Sequence, residues 1–306
     1  MQLLTCNAAM LPVTIIGGYL GAGKTTLVNH LLRHADGLKL AVLVNEFGAL
    51  PIDEDLIEAQ DDTMISIAGG CVCCSYGNDL IQAMVDLSAL EQKPDHILIE
   101  SSGVAMPGAI ASTVSIMEGL HVDGIVVLAD AETIQDQGNN DYIGDTIERQ
   151  LLDADLVLLN KCDLVERDEL EDLQFWLGAK AQNASVVSVQ HAKVPNAIVL
   201  QQYDRSDLTS KTDFHPHVDI FESRTILFEK EVDAEEVARA LAHPDLKLIR
   251  AKGFVPTSAG MRAIHTVGRR WAVSDAPVGA TLGVVVIAER LGSRISSVAS
   301  LFENAD

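Results

Sequence analysis

An α/β fold, with a mostly parallel central sheet followed by a smaller α+β C-terminal domain, is predicted by three observations. Short apolar runs rich in β-branched residues alternate with stretches of helical apolar spacing through residues 10–203. The first such run, Val13-Thr14-Ile15-Ile16, passes into a helical pattern through a glycine-rich loop. Composition then shifts across a polar stretch from Gln201 to His217, beyond which strands outnumber helices. The expected domains are 10–203 and 217–306.

The glycine-rich loop comes first because the remaining elements are placed around it. Gly17-Gly18-Tyr19-Leu20-Gly21-Ala22-Gly23-Lys24-Thr25-Thr26 carries the G-x-x-x-x-G-K-[ST] spacing at Gly18, Gly23, Lys24 and Thr25, and Leu27–Leu32 follows as a helix. Glycines let successive backbone N–H groups converge on phosphate oxygens, and the helix N-terminus adds unpaired donors. Lys24 supplies a point charge to the β- and γ-phosphates and is counted with the catalytic residues, while the Thr25 hydroxyl offers a ligand to Mg²⁺. Gly21, Ala22 and Thr26 complete the expected phosphate cradle of a P-loop NTPase domain.

Leu38–Val44 reads as a second buried strand ending in Asn45-Glu46-Phe47-Gly48. Ligands gather at the carboxyl ends of parallel strands, so Glu46 is either placed for chemistry or is a solvated loop carboxylate. A short strand at Met64–Ile67 precedes Gly69-Gly70-Cys71-Val72-Cys73-Cys74. Three thiols this close can converge on one borderline cation, which suits Zn²⁺ and also Co²⁺ or Cu⁺. Cys71 and Cys74 also form a C-x-x-C, so thiol–disulfide chemistry is an alternative. Structural zinc sites normally use two separated pairs, and no second pair exists here.

A helix from Asn78 or Asp79 to Leu90 and a buried strand Asp95–Glu100 come next. Glu100-Ser101-Ser102-Gly103 has an acidic residue closing a strand with glycine three residues on, the layout of a switch whose Gly103 N–H approaches the γ-phosphate. Val122–Asp130 is a strand, Ile143–Leu152 a helix, and Asp155–Leu159 a strand running into Asn160-Lys161-Cys162-Asp163. Asp163 can accept both guanine N1–H and N2–H₂, Asn160 can hold N7 and nearby backbone, and the Lys161 stem can pack over the ring. Val186–Val189 closes the domain, with backbone at Gln190–Ala192 beside the base. The second domain reads as strand Ile220–Glu229, helix Ala234–Ala242 capped by Asp233, strands Lys247–Phe254, Ala263–Ala272 and Gly283–Ala288, and a helix Ile295–Phe302.

Composition narrows the function classes. With 306 residues and 48% hydrophobic content the chain can bury a large core, and its net charge of −22 argues against a nucleic-acid or anionic-membrane surface. No apolar run reaches membrane-spanning length and Met1–Met10 lacks signal-peptide character, so a cytoplasmic protein is expected. The chain has five cysteines; Cys6 belongs to the N-terminal lead and Cys162 reads as a small buried filler.

Taken together, Gly17–Thr26, Asn45-Glu46-Phe47-Gly48, Gly70-Cys71-Val72-Cys73-Cys74, Glu100-Ser101-Ser102-Gly103 and Asn160-Lys161-Cys162-Asp163 resemble the CobW-type metallochaperone GTPases, relatives of the GTPases that insert nickel into urease and hydrogenase. Ile249–Phe254 and Gly268-Arg269-Arg270-Trp271 resemble the C-terminal domain of that family. The resemblance implies GTP and Mg²⁺ as cofactors, with Thr25 on Mg²⁺ and Glu46 and Glu100 catalytic or near the metal. It implies that Cys71, Cys73 and Cys74, with Glu46 an option, carry a transported Zn²⁺ or Co²⁺ to a client metalloprotein. A homodimer is left open, and rival readings are a thiol redox sensor and a GTPase with a purely structural zinc. This chain departs from the family in carrying only His215 and His217 near the boundary, with His191 upstream, in place of a histidine-rich loop. It also has apolar Val104-Ala105-Met106-Pro107 where an acidic residue normally precedes the proline. With no assured arginine finger or water-positioning glutamine, turnover on the order of 10⁻⁴ to 10⁻² per second is expected.

Overall fold

The computed structural model describes residues 10–35, 37–44, 64–66, 78–90, 92–200, 221–228, 230–276, 280–290, 295 and 298. In chain order the first domain runs β1 (Leu11–Gly18), α1 (Lys24–Arg33), β2 (Leu40–Val44), β3 (Met64–Ser66), α2 (Asn78–Ala89), β4 (His96–Glu100), α3 (Pro107–Ser115), β5 (Leu120–Asp130), α4 (Ile134–Gly138), α5 (Gly144–Asp153), β6 (Leu156–Asn160), α6 (Arg167–Lys180), β7 (Ser185–Ser188) and α7 (Asn196–Val199). The second runs β8 (Phe221–Ile226), α8 (Ala234–Leu241), β9 (Leu248–Thr257), β10 (Gly260–Val267), β11 (Arg270–Asp275) and β12 (Gly283–Glu289).

Seven strands form one sheet in the order β3-β2-β4-β1-β5-β6-β7, and each pairing is parallel. Both faces of such a sheet are covered, which is why β1 and β4 are mainly apolar and buried along their whole length. Helix α1 turns Leu27, Val28 and Leu31 onto one face, and α5 turns Ile147 and Leu151 onto the other. The register Ile16↔Glu100 and Asp130↔Asn160 brings the ends of β1, β4, β5 and β6 to one edge.

The second sheet is antiparallel, in the order β11-β10-β9-β12-β8, with α8 packed on it and capped by the Asp233 carboxylate, which accepts from the N–H groups of Glu235 and Glu236. The two domains share core: Phe221, Ile249, Val267 and Ile287 pack in one cluster with Leu156, Leu158, Val187 and Leu200.

The expected single strand Ala263–Ala272 is instead a hairpin, because Gly268 at φ 54° turns the chain between β10 and β11. Helices α3, α4, α6 and α7 are not among the expected elements. α6 is highly charged and buries only Leu173 and Leu177, and α3 is built of small residues, so neither carries a strong apolar stripe. The expected boundary Gln201–His217 lies outside the described residues, as does most of the expected terminal helix Ile295–Phe302. Among the described residues no helix is long and apolar enough to cross a membrane.

Candidate functional site

At the carboxyl edge of the sheet, β1 feeds α1 through residues 19–23. Gly18 has φ 127°, and a Cβ there would lie 2.3 Å from the Leu128 carbonyl oxygen, so the strand can pass only as glycine. Gly23, at φ 105°, stands at the N-cap of α1 with no side-chain cap, which leaves the first-turn N–H groups of the helix to a ligand. The Lys24 ammonium reaches back over the loop to the Tyr19 carbonyl at 3.3 Å. The Thr25 hydroxyl donates to Glu100 Oε1 at 2.8 Å, and Glu100 is buried at the end of β4. Two oxygen ligands, one from the first turn of α1 and one from the end of β4, thus meet beside the loop, a set suited to a hard divalent cation such as Mg²⁺.

Beyond Glu100, Gly103 lies directly on the loop: a Cβ on it would sit 2.9 Å from the Leu20 backbone nitrogen. On the other side, Asn160 ends β6. Its Nδ2 donates to the Ala22 carbonyl at 3.0 Å, and its Oδ1 accepts the Ala192 N–H at 2.8 Å. Asn160 therefore braces the glycine loop against the turn at 190–192, with one backbone bond at each end of its amide, and its second Nδ2 proton remains for a base. Lys161 adopts a left-handed conformation at φ 62°, and its ammonium pairs with Asp130 at 2.5 Å, fixing the stem beside the strand ends. Asp163 is exposed in the helical turn Cys162–Leu164. Ala22 is buried and Thr26 is exposed in the first turn of α1. Cys162 is half-buried; burial pushes its thiol pKa up, and its S–H donates to the Leu159 carbonyl, so it is an inert filler.

Glu46, Cys71, Cys73, Cys74, His215 and His217 lie outside the described residues. β3 pairs in parallel with β2, so its carboxyl end at Ser66 lies at the same edge of the sheet as the glycine loop. His191 is exposed at the 190–192 turn.

Sequence reasoning missed a polar cluster at the opposite end of the sheet. Among the described residues, His121, Asp123 and His265 bring potential ligand atoms within 4.8 Å of one another. Asp123 is already occupied, however. One of its oxygens bonds the Arg250 guanidinium and the other takes Lys252 Nζ at 3.2 Å. A divalent cation would compete with the Arg250 guanidinium and the Lys252 amine for one carboxylate, so the cluster works as an ion-pair joint between the domains. Thr14 and His96 complete it, their side chains bonded at 2.8 Å. Burial alone would raise the Asp123 pKa, but Arg250, then Lys252, His265 and His96 hold it well below the ordinary carboxylate range. Burial lowers His96 to about 3, against the pull of Asp123.

A glycine cradle at a helix N-terminus, a strand-end carboxylate on the adjacent threonine, and an Asn-Lys-Cys-Asp turn on one edge of a parallel sheet define a P-loop GTPase. A family model for the CobW/HypB/UreG nucleotide-binding domain matches residues 12–188, and the chain belongs to that family. It is 32% identical over 262 residues to the zinc chaperone YjiA of Escherichia coli (strain K12), covering 79% of this chain and 81% of that one. It is 31% identical over 229 residues to the zinc chaperone CobW of a Sinorhizobium species, covering 65% of each chain. The solved Zn(II)-bound YjiA GTPase from E. coli aligns with a TM-score of 0.46 at 25% identity, covering 97% of this chain and 99% of that chain.

Proposed function

We propose that this chain is a GTP-dependent metallochaperone that binds Zn²⁺, or Co²⁺, through Cys71, Cys73 and Cys74 and releases it to a client metalloprotein after GTP hydrolysis. The observation that carries the reading is the contact chain Thr25–Glu100 and Leu20–Gly103, which joins the phosphate loop directly to the segment after β4. The relatives named as zinc chaperones support zinc as cargo.

In this reading Gly18, Gly21, Ala22, Gly23, Lys24, Thr25 and Thr26 cradle the phosphates, and Lys161 and Asp163 select guanine. Thr25 and Glu100 would hold Mg²⁺, which when bound supplies charge neutralisation on the β- and γ-phosphates. Glu46 and Gly103 flank the γ-phosphate on the two chain segments between which the cysteines lie, so ordering these segments orders the thiolates. Affinity for metal then differs between the GTP and GDP states, and by reciprocity metal alters GTP affinity by the same factor.

The test is a Co²⁺ or Zn²⁺ titration of reduced protein with a GTP analogue, with GDP and without nucleotide, following the cobalt–thiolate absorption. Tighter binding in the GTP state by tenfold or more, lost in Cys73→Ser, is the expected result. Equal affinity in all states would favour a structural zinc. Absence of binding, with a Cys71–Cys74 disulfide forming on mild oxidation, would favour a redox sensor.

A further inference from the structure

One face of α5 carries a polar residue where an apolar one is expected. Ile147 and Leu151 point into the core, and Gln150, only 1% exposed, sits between them. Its Nε2 donates to two carbonyls of the segment after β4: Gly103 at 3.1 Å and Ala105 at 2.8 Å. One turn further along the same face, Asp153 Oδ2 accepts the Gly108 N–H at 2.9 Å. Gly108 lies in the first turn of α3, whose N-cap Met106 offers no side-chain oxygen, so Asp153 caps α3 from another helix. The approach is close: a Cβ on Gly108 would lie 2.5 Å from Asp153 Oδ2.

We propose that Gln150, assisted by Asp153, is a positioning residue that holds residues 103–108 against the phosphate loop in the GTP-ready arrangement. The segment is fixed at its start by the Ser101 N–H on the Ile16 carbonyl at 2.9 Å. Between that point and α5, the backbone of Gly103 is wedged on Leu20. A buried amide that holds two carbonyls at once sets where Gly103 stands before any nucleotide arrives. The same helix leads into β6 and the Asn160 brace, so both ligand-facing segments take their position from α5. Gln150 touches neither phosphate nor metal in this scheme; it acts through the Gly103 backbone. The inference rests on the guanine-nucleotide reading above.

The test compares Gln150→Met, which keeps the shape and removes the donor, with Gln150→Glu, which turns carboxylate oxygens towards the two carbonyls. Asp153→Ala serves as an independent second variant. Affinities for a non-hydrolysable GTP analogue and for GDP are measured by calorimetry on the full chain, with circular dichroism to confirm folding. The expected result is a loss of about tenfold in the ratio of analogue to GDP affinity for Gln150→Met, a larger loss for Gln150→Glu, and GDP affinity within about twofold of the unaltered chain. Asp153→Ala should shift the ratio in the same direction by a smaller factor. An unchanged ratio in all three variants, or parallel losses for both nucleotides, would overturn the tether while leaving the GTPase reading in place. Failure of the unaltered chain to bind either guanine nucleotide would instead remove the reading on which the tether depends.

Discussion

At Gly23 a single hydrogen atom keeps the phosphate loop open. A Cβ there would meet Asn160 Nδ2 at 2.5 Å, and the φ of 105° is one that L-residues rarely adopt. The clash and the strain act together, because the same amide braces Ala22 and Ala192. Gly23→Ala should therefore cost about 1–3 kcal/mol in stability and weaken GDP binding more than tenfold, measured by thermal unfolding and fluorescent-nucleotide titration. Removing the clashing group as well, in Gly23→Ala/Asn160→Ala, should not restore binding, since the backbone strain remains and the brace is gone. Wild-type affinity in the single variant would mean that phosphate is held elsewhere.

Among the elements, β9 decides how firmly the second sheet is attached. Arg250, almost fully buried, bonds Asp123 of β5 and donates to the Ile198 carbonyl at 2.7 Å, while Lys252 reaches the Leu200 carbonyl at 3.3 Å. Removing one partner of such a pair leaves a buried charge uncompensated, whereas replacing both leaves an apolar contact. Arg250→Met should cost about 3–5 kcal/mol in urea unfolding, and adding Asp123→Leu together with Lys252→Met, so that no partner of the carboxylate is left charged and buried, should recover a good part of it. A triple variant no more stable than the single one would show that an uncompensated Asp123 charge is not what Arg250→Met costs. None of this joint was legible in the sequence. Thr14, His96 and Asp123 lie at the starts of strands read correctly as buried, but a lone polar residue in an apolar run has no partner until the topology supplies one 127 positions away. The loop at Gly17–Thr26 was legible because its chemistry is local, with strand, glycines and helix contiguous in the chain. Gln150 fell between these cases: it interrupts an apolar stripe, a visible irregularity, yet only the packing of α5 on the segment after β4 gives it a function.

For the whole molecule, the shared core and the Asp123 joint argue that the two sheets unfold as one unit. Phe221, Ile249, Val267 and Ile287 would lose their apolar partners if either domain opened alone, so thermal unfolding should show one transition with equal calorimetric and van't Hoff enthalpies. The joint also gives that transition a pH dependence of definite sign. His96 titrates at about 3 in the folded chain and at about 6.5 when unfolded, so the unfolded chain binds more protons throughout that window. Stability from this group is complete above 6.5 and is lost as pH falls towards 3. Asp155 opposes it: burial, only partly offset by Arg270 and the Ile125 N–H, raises its pKa to about 6, so acidification from 6 to 3.8 returns stability. The His96 shift spans the wider interval and should dominate. Acidification also relieves the repulsion of a chain carrying −22 charges, so the informative quantity is a difference. His96→Gln keeps a hydrogen-bonding side chain that never protonates in this range. Relative to it, the unaltered chain should lose stability progressively from pH 6.5 down to the onset of acid unfolding; parallel pH profiles would mean that the His96 ring takes up its proton equally well in the folded and unfolded chain, and that burial in the joint does not hold it neutral.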